Sequence, residues 1–531
     1  MTWRPEVPAD FAGEAAKIRY RAMPYANGCG LDVACGPWKV FANAIGIDGN
    51  AYVTADNRGP SLAMDCRTLP FFATGVFDYV FSSHFLEHVE HPQAVLREWW
   101  RVVKEDGYLI LYLPHRDLYP RRGQPGANPD HKHDFAPEDI VRAMRGVGGG
   151  WMLLENEVRG EDDEYSFFQV YRKRSDQNQI DASERRRPEK TAAIVRPGNF
   201  GDAIWAVSIA RQLKLEGYHV TAYVEAFGEE VLRHEPDIDR VICMNRAAVP
   251  ETEWGKMWES ETKRYDRWIN LTQTVEVQLL SVPGSLNYHF PDATRRSICN
   301  RNYVEFMHEV AGVPYELGQR VSMTFPERQW ARSEREKLRG RVLVLCNGGS
   351  TAPKWWPYAP AFAGLLAELG VHVMVMGDLK GLEYPTGPFV HVSTGWTIRQ
   401  SIAFAQEADA VVGQETGVLN AVALENVAKV VMLTHSTAEN LTRDWHRTIA
   451  LHGDVACYPC HRIHYTHQHC PQDETTKAAK CQAAIRIETV MEALRTLGVV
   501  TDSDIAALSA PSAPAVAQTV KIIPAPTRAT A

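Results

Sequence analysis

Twelve short apolar runs, separated by segments of helical character, restrict this chain to one class of fold. They fall in three sets of four: LDVAC, AIGID, FDYVFSS and YLILYLP; then TAAIVRP, HVTAYV, RVICM and RWINL; then RVLVLCN, VHVMVMGD, AVVG and KVVML. Strands this apolar are buried on both faces, as in parallel sheets covered by helices. The expectation is therefore α/β, three Rossmann-like units in a row. A chain of 531 residues is too long for a single core, which agrees with several units.

Polar stretches divide the sets. RSDQNQIDASERRRPEK, residues 174–190, lacks apolar periodicity and reads as a linker after a first domain over 1–173. A second domain then runs over 191–325. The charged stretch beginning FPERQW opens a helix with a proline, just ahead of the strand RVLVLC, and starts a third domain over 326–500. Residues 501–531 turn to Ala, Pro, Ser and Thr and are expected to be a disordered tail.

Composition removes several functions. Hydrophobic residues at 45% and charged residues at 23% are ordinary for globular domains. A net charge of -8 gives no general attraction to nucleic acid. No apolar run of about 20 residues is present, so no membrane span is expected, and the first residues lack a secretory apolar core. Ten cysteines, six of them scattered singly, fit a cytoplasmic setting.

In the first domain, GLDVACGPWKVFANAIGID is a strand, a tight small-residue turn and a second strand ending in an acid. Ala34 and Gly36 let a ligand approach the backbone, and Asp48 is placed to accept both hydroxyls of a ribose. Asp65 ends a third strand. These residues, with FDYVFSSHFLEHV and LREWWRVVKEDGYLILYLP, resemble the class I S-adenosylmethionine methyltransferases over roughly residues 25–172. The resemblance implies Asp32, Ala34 and Gly36 at the methionine end, Asp48 at the ribose, Asp65 at the adenine and His84 on the sulfonium side. Ala34 replaces the usual first glycine and Pro37 a third, which also allows a domain kept for binding or scaffolding alone. His84, His88, His115, His131 and His133 all lie near the expected mouth, where a histidine can take a hydroxyl proton.

The second and third domains carry three further segments. TAAIVRPGNFGDAIWA is a strand, a glycine-bearing loop and a helix opening at Asp202 or Ala203. An aspartate there caps the helix, or takes a proton from an attacking hydroxyl. NGGSTAPKWW supplies Ser350, Thr351 and the cation Lys354, which can neutralise a departing diphosphate. QETGVLN opens a helix after a strand, where free N–H groups suit phosphate.

Together these resemble the ADP-heptose heptosyltransferases (glycosyltransferase family 9) over about residues 190–498. The resemblance implies a two-Rossmann GT-B fold, Gly201-Asp202 with Asp202 as base, Lys354 on the phosphates, and Glu415, Thr416 and Gly417 around a nucleotide-sugar donor; Ser350 and Thr351, small residues of the Lys354 loop, are further candidates for donor binding. It also implies an inverting displacement onto a glycan or protein hydroxyl. Glu415 replaces the usual Asp and Asn420 stands where many members have His, so the implied donor is a diphosphate-linked sugar rather than heptose in particular.

Cys457, Cys460, Cys470 and Cys481 place four soft ligands in a polar, histidine-rich window over 457–481. Four thiolates suit tetrahedral zinc or iron, and a metal would supply order that this window's few apolar residues do not. A similar finger occurs in autotransporter heptosyltransferases, where it binds iron. The whole reads as a bifunctional enzyme that transfers sugar and methyl groups in one pathway. A non-enzymatic surface-recognition protein is disfavoured by the co-occurrence of Asp202, Lys354 and the Glu-Thr-Gly loop.

Overall fold

The computed structural model describes residues 13–50, 60–161, 163–183, 189–377, 379 and 381–508. The chain forms two compact units, Met1–Glu189 with Cys243–Tyr265, and Lys190–Ile242 with Asp266–Ala531.

The first unit holds one eight-stranded sheet. Its strands are β1 (Gly30–Val33), β2 (Ile45–Asp48), β3 (Leu62–Ala63), β4 (Phe77–Ser83), β5 (Val103–Pro114), β6 (Gly150–Arg159), β7 (Ser166–Arg174) and β8 (Gln179–Asp181), in the order β3-β2-β1-β4-β5-β7-β6-β8. β1 lies between β2 and β4, parallel to both, so the order reverses direction at its C-terminal end. β7 runs antiparallel to β5 and β6. Helices Pro92–Val102 and Pro137–Val147 bury Trp99, Ile140 and Met144. The indole N–H of Trp99 donates to Cys66 O (2.9 Å). The segment 243–265 packs within this unit, where the buried Arg19 guanidinium donates to Glu253 (2.6 Å).

The 174–190 linker is in part sheet. Arg174 ends β7, and Gln179–Asp181 pair with Trp151–Leu153 of β6. These three residues are exposed, so edge hydrogen bonding rather than burial orders them, and no apolar pattern marks them. Residues 184–188 lie outside the described residues.

The second unit contains two lobes. The first has β9 (Thr191–Val195), β10 (His219–Val224), β11 (Arg240–Cys243) and β12 (Arg267–Asn270), ordered β11-β10-β9-β12. The second has β13 (Val342–Cys346), β14 (His372–Met376), β15 (Val390–Val392), β16 (Ala410–Gln414), β17 (Ala428–Met432) and β18 (Thr448–Leu451). Its order is β15-β14-β13-β16-β17-β18, parallel throughout.

β13 shows why its sequence is apolar at every position. Val342, Val344 and Cys346 enter one core, and Leu343 and Leu345 enter another on the opposite face. The first of these cores does not stop at the lobe boundary. It joins Ile194, Trp205 and Leu213 of the first lobe to Val344, Phe404 and Leu419 of the second. The helix Phe325–Glu336 begins at a capping box, with Thr324 N–H donating to Glu327 (2.7 Å) and Glu327 N–H to the Thr324 hydroxyl (3.4 Å).

The first residues of the segment expected to be a disordered tail are ordered. Asp502–Leu508 form a helix, because Asp504 accepts from Thr501 N–H (2.7 Å) and pairs with Arg341 (2.6 Å). Residues 509–531 of that tail lie outside the described residues. Among the described residues no helix is long and apolar enough to cross a membrane.

Candidate functional site

Each sheet has a central strand at which its order reverses, and the loops leaving those strands are where α/β folds bind ligands. β1, β9 and β13 hold these places.

In the second unit β9 runs into Arg196, a loop containing Gly198, and the helix Phe200–Leu215. Asp202 caps that helix by accepting from Asn199 N–H (2.9 Å). Gly198 has a φ of 128°, and a Cβ there would lie 2.6 Å from the Asp202 carboxylate, so the position requires glycine. The second Asp202 oxygen lies 3.6 Å from Arg196, whose buried guanidinium is bidentate to Glu276 (2.9 and 3.0 Å).

Burial, and next the Glu276 carboxylate, push Asp202 up to about 6, against the opposing charges of Arg196 and Lys354. Burial acts on Glu276 in the same sense, but Arg196 outweighs it and holds that carboxyl below its ordinary value. With 23% of its side chain exposed, Asp202 is within reach of a ligand.

Lys354 approaches from the other lobe. Its ammonium donates to Glu415 O (2.7 Å), and a Cβ on Gly349 would lie 2.7 Å from its stem. The loop between β13 and Lys354 is fixed by Asn347, which accepts from Trp356 N–H (2.7 Å) and from Gln414 (3.1 Å). Ser350 is exposed in that loop, and Thr351 is buried with a hydroxyl that has no hydrogen-bond partner.

Thr416 and Gly417 begin the short helix Gly417–Ala421, packed against the helix of Asp202. A Cβ on Gly201 would lie 3.1 Å from Gly417 Cα, and one on Gly417 would lie 2.2 Å from the Phe200 ring. Trp205 donates to Asn420 Oδ1 across the same contact (3.3 Å). The structure thus brings Asp202 and Lys354 near each other across the two lobes, with Gly417 against the helix of Asp202 and Thr351 in the loop that carries Lys354.

Glu415 is turned away from a ligand-contacting role. Its buried carboxylate accepts from Thr434 N–H (2.8 Å) and lies 3.0 Å from His435 Nδ1. Burial would raise this carboxyl, but His435, Lys354 and the backbone donors hold it below its ordinary value. Burial lowers His435 to about 4. What Glu415 offers the cleft is its carbonyl, which fixes Lys354.

Arg196 and Glu276 escaped the reading of the sequence. Arg196 stands directly at a strand end before Pro-Gly, a signal open to notice. Glu276 has none, lying in a loop where Gln273 and Val277 have φ values of 60° and 77°, the latter costly for a β-branched residue.

In the first unit the turn after β1 carries left-handed Ala34 (φ 61°) and Gly36 (φ 59°). A Cβ on Gly36 would meet nothing within 4 Å, so the turn faces open space. Asp48 accepts from Gly36 N–H and from Asn50 N–H (2.9 Å each). Asp32 is buried, accepts from Val40 N–H (2.6 Å), and is pushed by burial up to about 7. An open turn beside a fixed carboxylate fits a nucleoside cofactor with a ribose diol.

Two expected residues are engaged elsewhere. The exposed Asp65 carboxylate is held by Arg67 (2.9 Å). His84 is clasped between the hydroxyls of Ser83 (2.9 Å) and Ser166 (3.0 Å), and burial lowers it to about 3.

Cys457, Cys460, Cys470 and Cys481 line one small cavity with His464 and His469. Burial raises Cys460 to about 12 and Cys470 to about 11, with neighbouring thiols adding to the effect. No three of the four sulfurs lie within 4.8 Å of one another. The segment is tied to both lobes: Ser281 N–H donates to His461 O (2.8 Å), Arg295 to Cys460 O (2.6 Å), and Ala352 N–H to His464 O (2.7 Å).

No curated protein matches the chain. Among solved structures, similarity is found to ADP-heptose lipopolysaccharide heptosyltransferase II of E. coli, at 16% identity and TM-score 0.42, covering 58% of this chain and 98% of that one. A glycosyl transferase family 9 protein of Veillonella parvula is similar at 15% identity and TM-score 0.43, covering 59% and 98%. The iron-containing dodecameric glycosyltransferase TibC of enterotoxigenic E. coli is similar at 13% identity and TM-score 0.40, covering 63% and 85%. Residues 26–111 match the family described as a methyltransferase domain. They contain β1 to β4 and the turn with Asp32, Gly36 and Asp48, so the first unit carries a methyltransferase domain, which implies S-adenosylmethionine as its cofactor.

Proposed function

We propose that the second unit transfers a sugar from a nucleotide-diphosphate donor to a hydroxyl of a glycan or protein, and that the first unit methylates the same product or its acceptor. The observation that carries the sugar-transfer reading is the placement of Asp202 and Lys354 on the two lobes, near enough that the charge of Lys354 opposes the upward push on Asp202. Asp202 takes the acceptor proton as the hydroxyl oxygen bonds to the anomeric carbon. The bond from that carbon to the diphosphate breaks, and Lys354 neutralises the charge that develops on the departing oxygen. Thr351 and the backbone at Thr416 and Gly417 hold the phosphates. The attack is in line, so the anomeric configuration inverts. A panel of nucleotide sugars assayed for diphosphate release identifies the donor, and no release from any member of the panel refutes the reading.

In the first unit Gly36, Asp32 and Asp48 would hold S-adenosylmethionine, which when bound supplies an electrophilic methyl group. Asp48 serves the ribose hydroxyls while its carboxylate is kept in place by two backbone amides. Asp48→Ala is expected to weaken S-adenosylmethionine binding by at least about tenfold, since two charge-assisted hydrogen bonds are lost. Titration calorimetry measures it, and absence of binding by the unaltered protein at millimolar ligand would make the unit a scaffold.

The four-cysteine cavity binds zinc or iron. Support comes from the chemistry of the donors, four thiols in one cavity on a segment tied to both lobes. Purified protein is expected to lose one such ion per chain in the variant Cys457→Ser with Cys460→Ser; elemental analysis that finds the same metal content in both would sink the assignment. A cytoplasmic setting agrees with the ten unpaired thiols.

A further inference from the structure

A second donor cluster lies in the first unit. Glu87 sits in the short helical turn Leu86–His88 after β4, and its carboxylate is fully buried with neither oxygen accepting a hydrogen bond. Such a group is unfavourable unless something positive meets it. Two imidazoles do come near: His88 Nε2 lies 3.8 Å and His131 Nε2 4.0 Å from the same Glu87 oxygen. The rings meet edge to face at 4.8 Å, and Tyr119 covers His131 from another side (5.3 Å).

The backbone holds this grouping in place. Lys132 N–H and His133 N–H both donate to Glu87 O (2.7 and 3.1 Å), so the main chain of Glu87 anchors the loop that delivers His131 to its side chain. Among the described residues these are the three donor-bearing side chains whose ligand atoms all lie within 4.8 Å of one another.

We infer that Glu87, His88 and His131 form a binding site for a divalent transition-metal ion. One carboxylate and two imidazoles suit zinc, cobalt, nickel or ferrous iron rather than magnesium or calcium. Bonds of about 2.0–2.2 Å to a shared ion set ligand atoms roughly 3.3 Å apart, so the carboxylate–imidazole separations of 3.8 and 4.0 Å need to close by well under an ångström, and a rotation of the half-exposed His88 ring brings in the remaining pair, which lies within 4.8 Å. Three protein ligands leave at least one coordination position for water or an oxygen of a bound molecule. The ion would neutralise the buried carboxylate, which in its absence is partnered only by two weakly placed rings.

The test uses the full-length chain, stripped with chelator and titrated with Co²⁺. Cobalt reports its ligands: sulfur gives intense near-ultraviolet charge-transfer bands, whereas nitrogen and oxygen ligands give weaker visible bands alone. The unaltered protein is expected to bind one Co²⁺ with the nitrogen–oxygen signature in addition to any sulfur signature. Glu87→Gln, His131→Ala and the half-exposed His88→Ala should each weaken that nitrogen–oxygen site at least about tenfold, as loss of a direct ligand exceeds the effect of losing an outer partner. The sulfur bands should be unchanged. A nitrogen–oxygen signature that is absent from the unaltered protein, or equally strong in the variants, overturns the inference. Folding is checked by metal-free melting, where Glu87→Gln replaces a buried acid by a neutral amide and should not lower Tm.

Discussion

Replacing Asp202 by Asn is expected to lower kcat for sugar transfer by about 10²–10⁴-fold while leaving nucleotide-sugar affinity nearly unchanged. Asparagine is the informative substitution. Its side-chain oxygen still accepts from Asn199 N–H, so the helix cap survives and only the proton acceptor is removed. The rate of the unaltered enzyme should fall with acid. The base works as the anion, and the anion is lost as pH drops through about 6. An acidic limb near 6 in kcat/KM, absent from the residual activity of Asp202→Asn, links the two observations. Turnover within a few-fold of the unaltered enzyme would take the base role away from this residue.

The second large effect concerns the ion pair behind the base. Arg196→Ala leaves Glu276 without its bidentate partner, and breaking a buried pair by removing one member costs about 3 kcal/mol or more. In a unit of this size that corresponds to a Tm lower by roughly 6 °C, readable by differential scanning calorimetry. Catalysis offers an independent readout. Loss of the guanidinium removes a charge that favours ionised Asp202, so the acidic limb should move up. Glu276→Gln removes a repelling carboxylate and frees Arg196 to approach Asp202, so its limb should move down. Shifts of the same sign in both variants, or none, would show that this pair does not tune the base.

Much of this architecture is legible in the residues because its signals are local. An apolar strand followed by a small-residue loop and a capped helix is recognisable within about twenty positions, and that pattern marked β1, which carries Asp32, and the segments after β9 and β13 that carry Asp202 and Lys354. The parts that escaped depend on distant segments. Glu276 reaches Arg196 across 80 residues of chain through a loop with two left-handed residues. The direction of the Glu415 carboxylate was equally hidden, because the amides that capture it belong to the loop after β17. In the first unit, β8 forms without an apolar pattern, since an edge strand can be ordered by backbone pairing alone.

The single apolar interior shared by the two lobes of the second unit has a practical corollary. Severing the chain near residue 325 would strip water-avoiding surface such as Leu419 and Phe404 of its covering on one side and Trp205 and Leu213 on the other. Either half produced alone would tend to precipitate or pair with itself, so nucleotide-sugar affinity must be measured on the joined lobes.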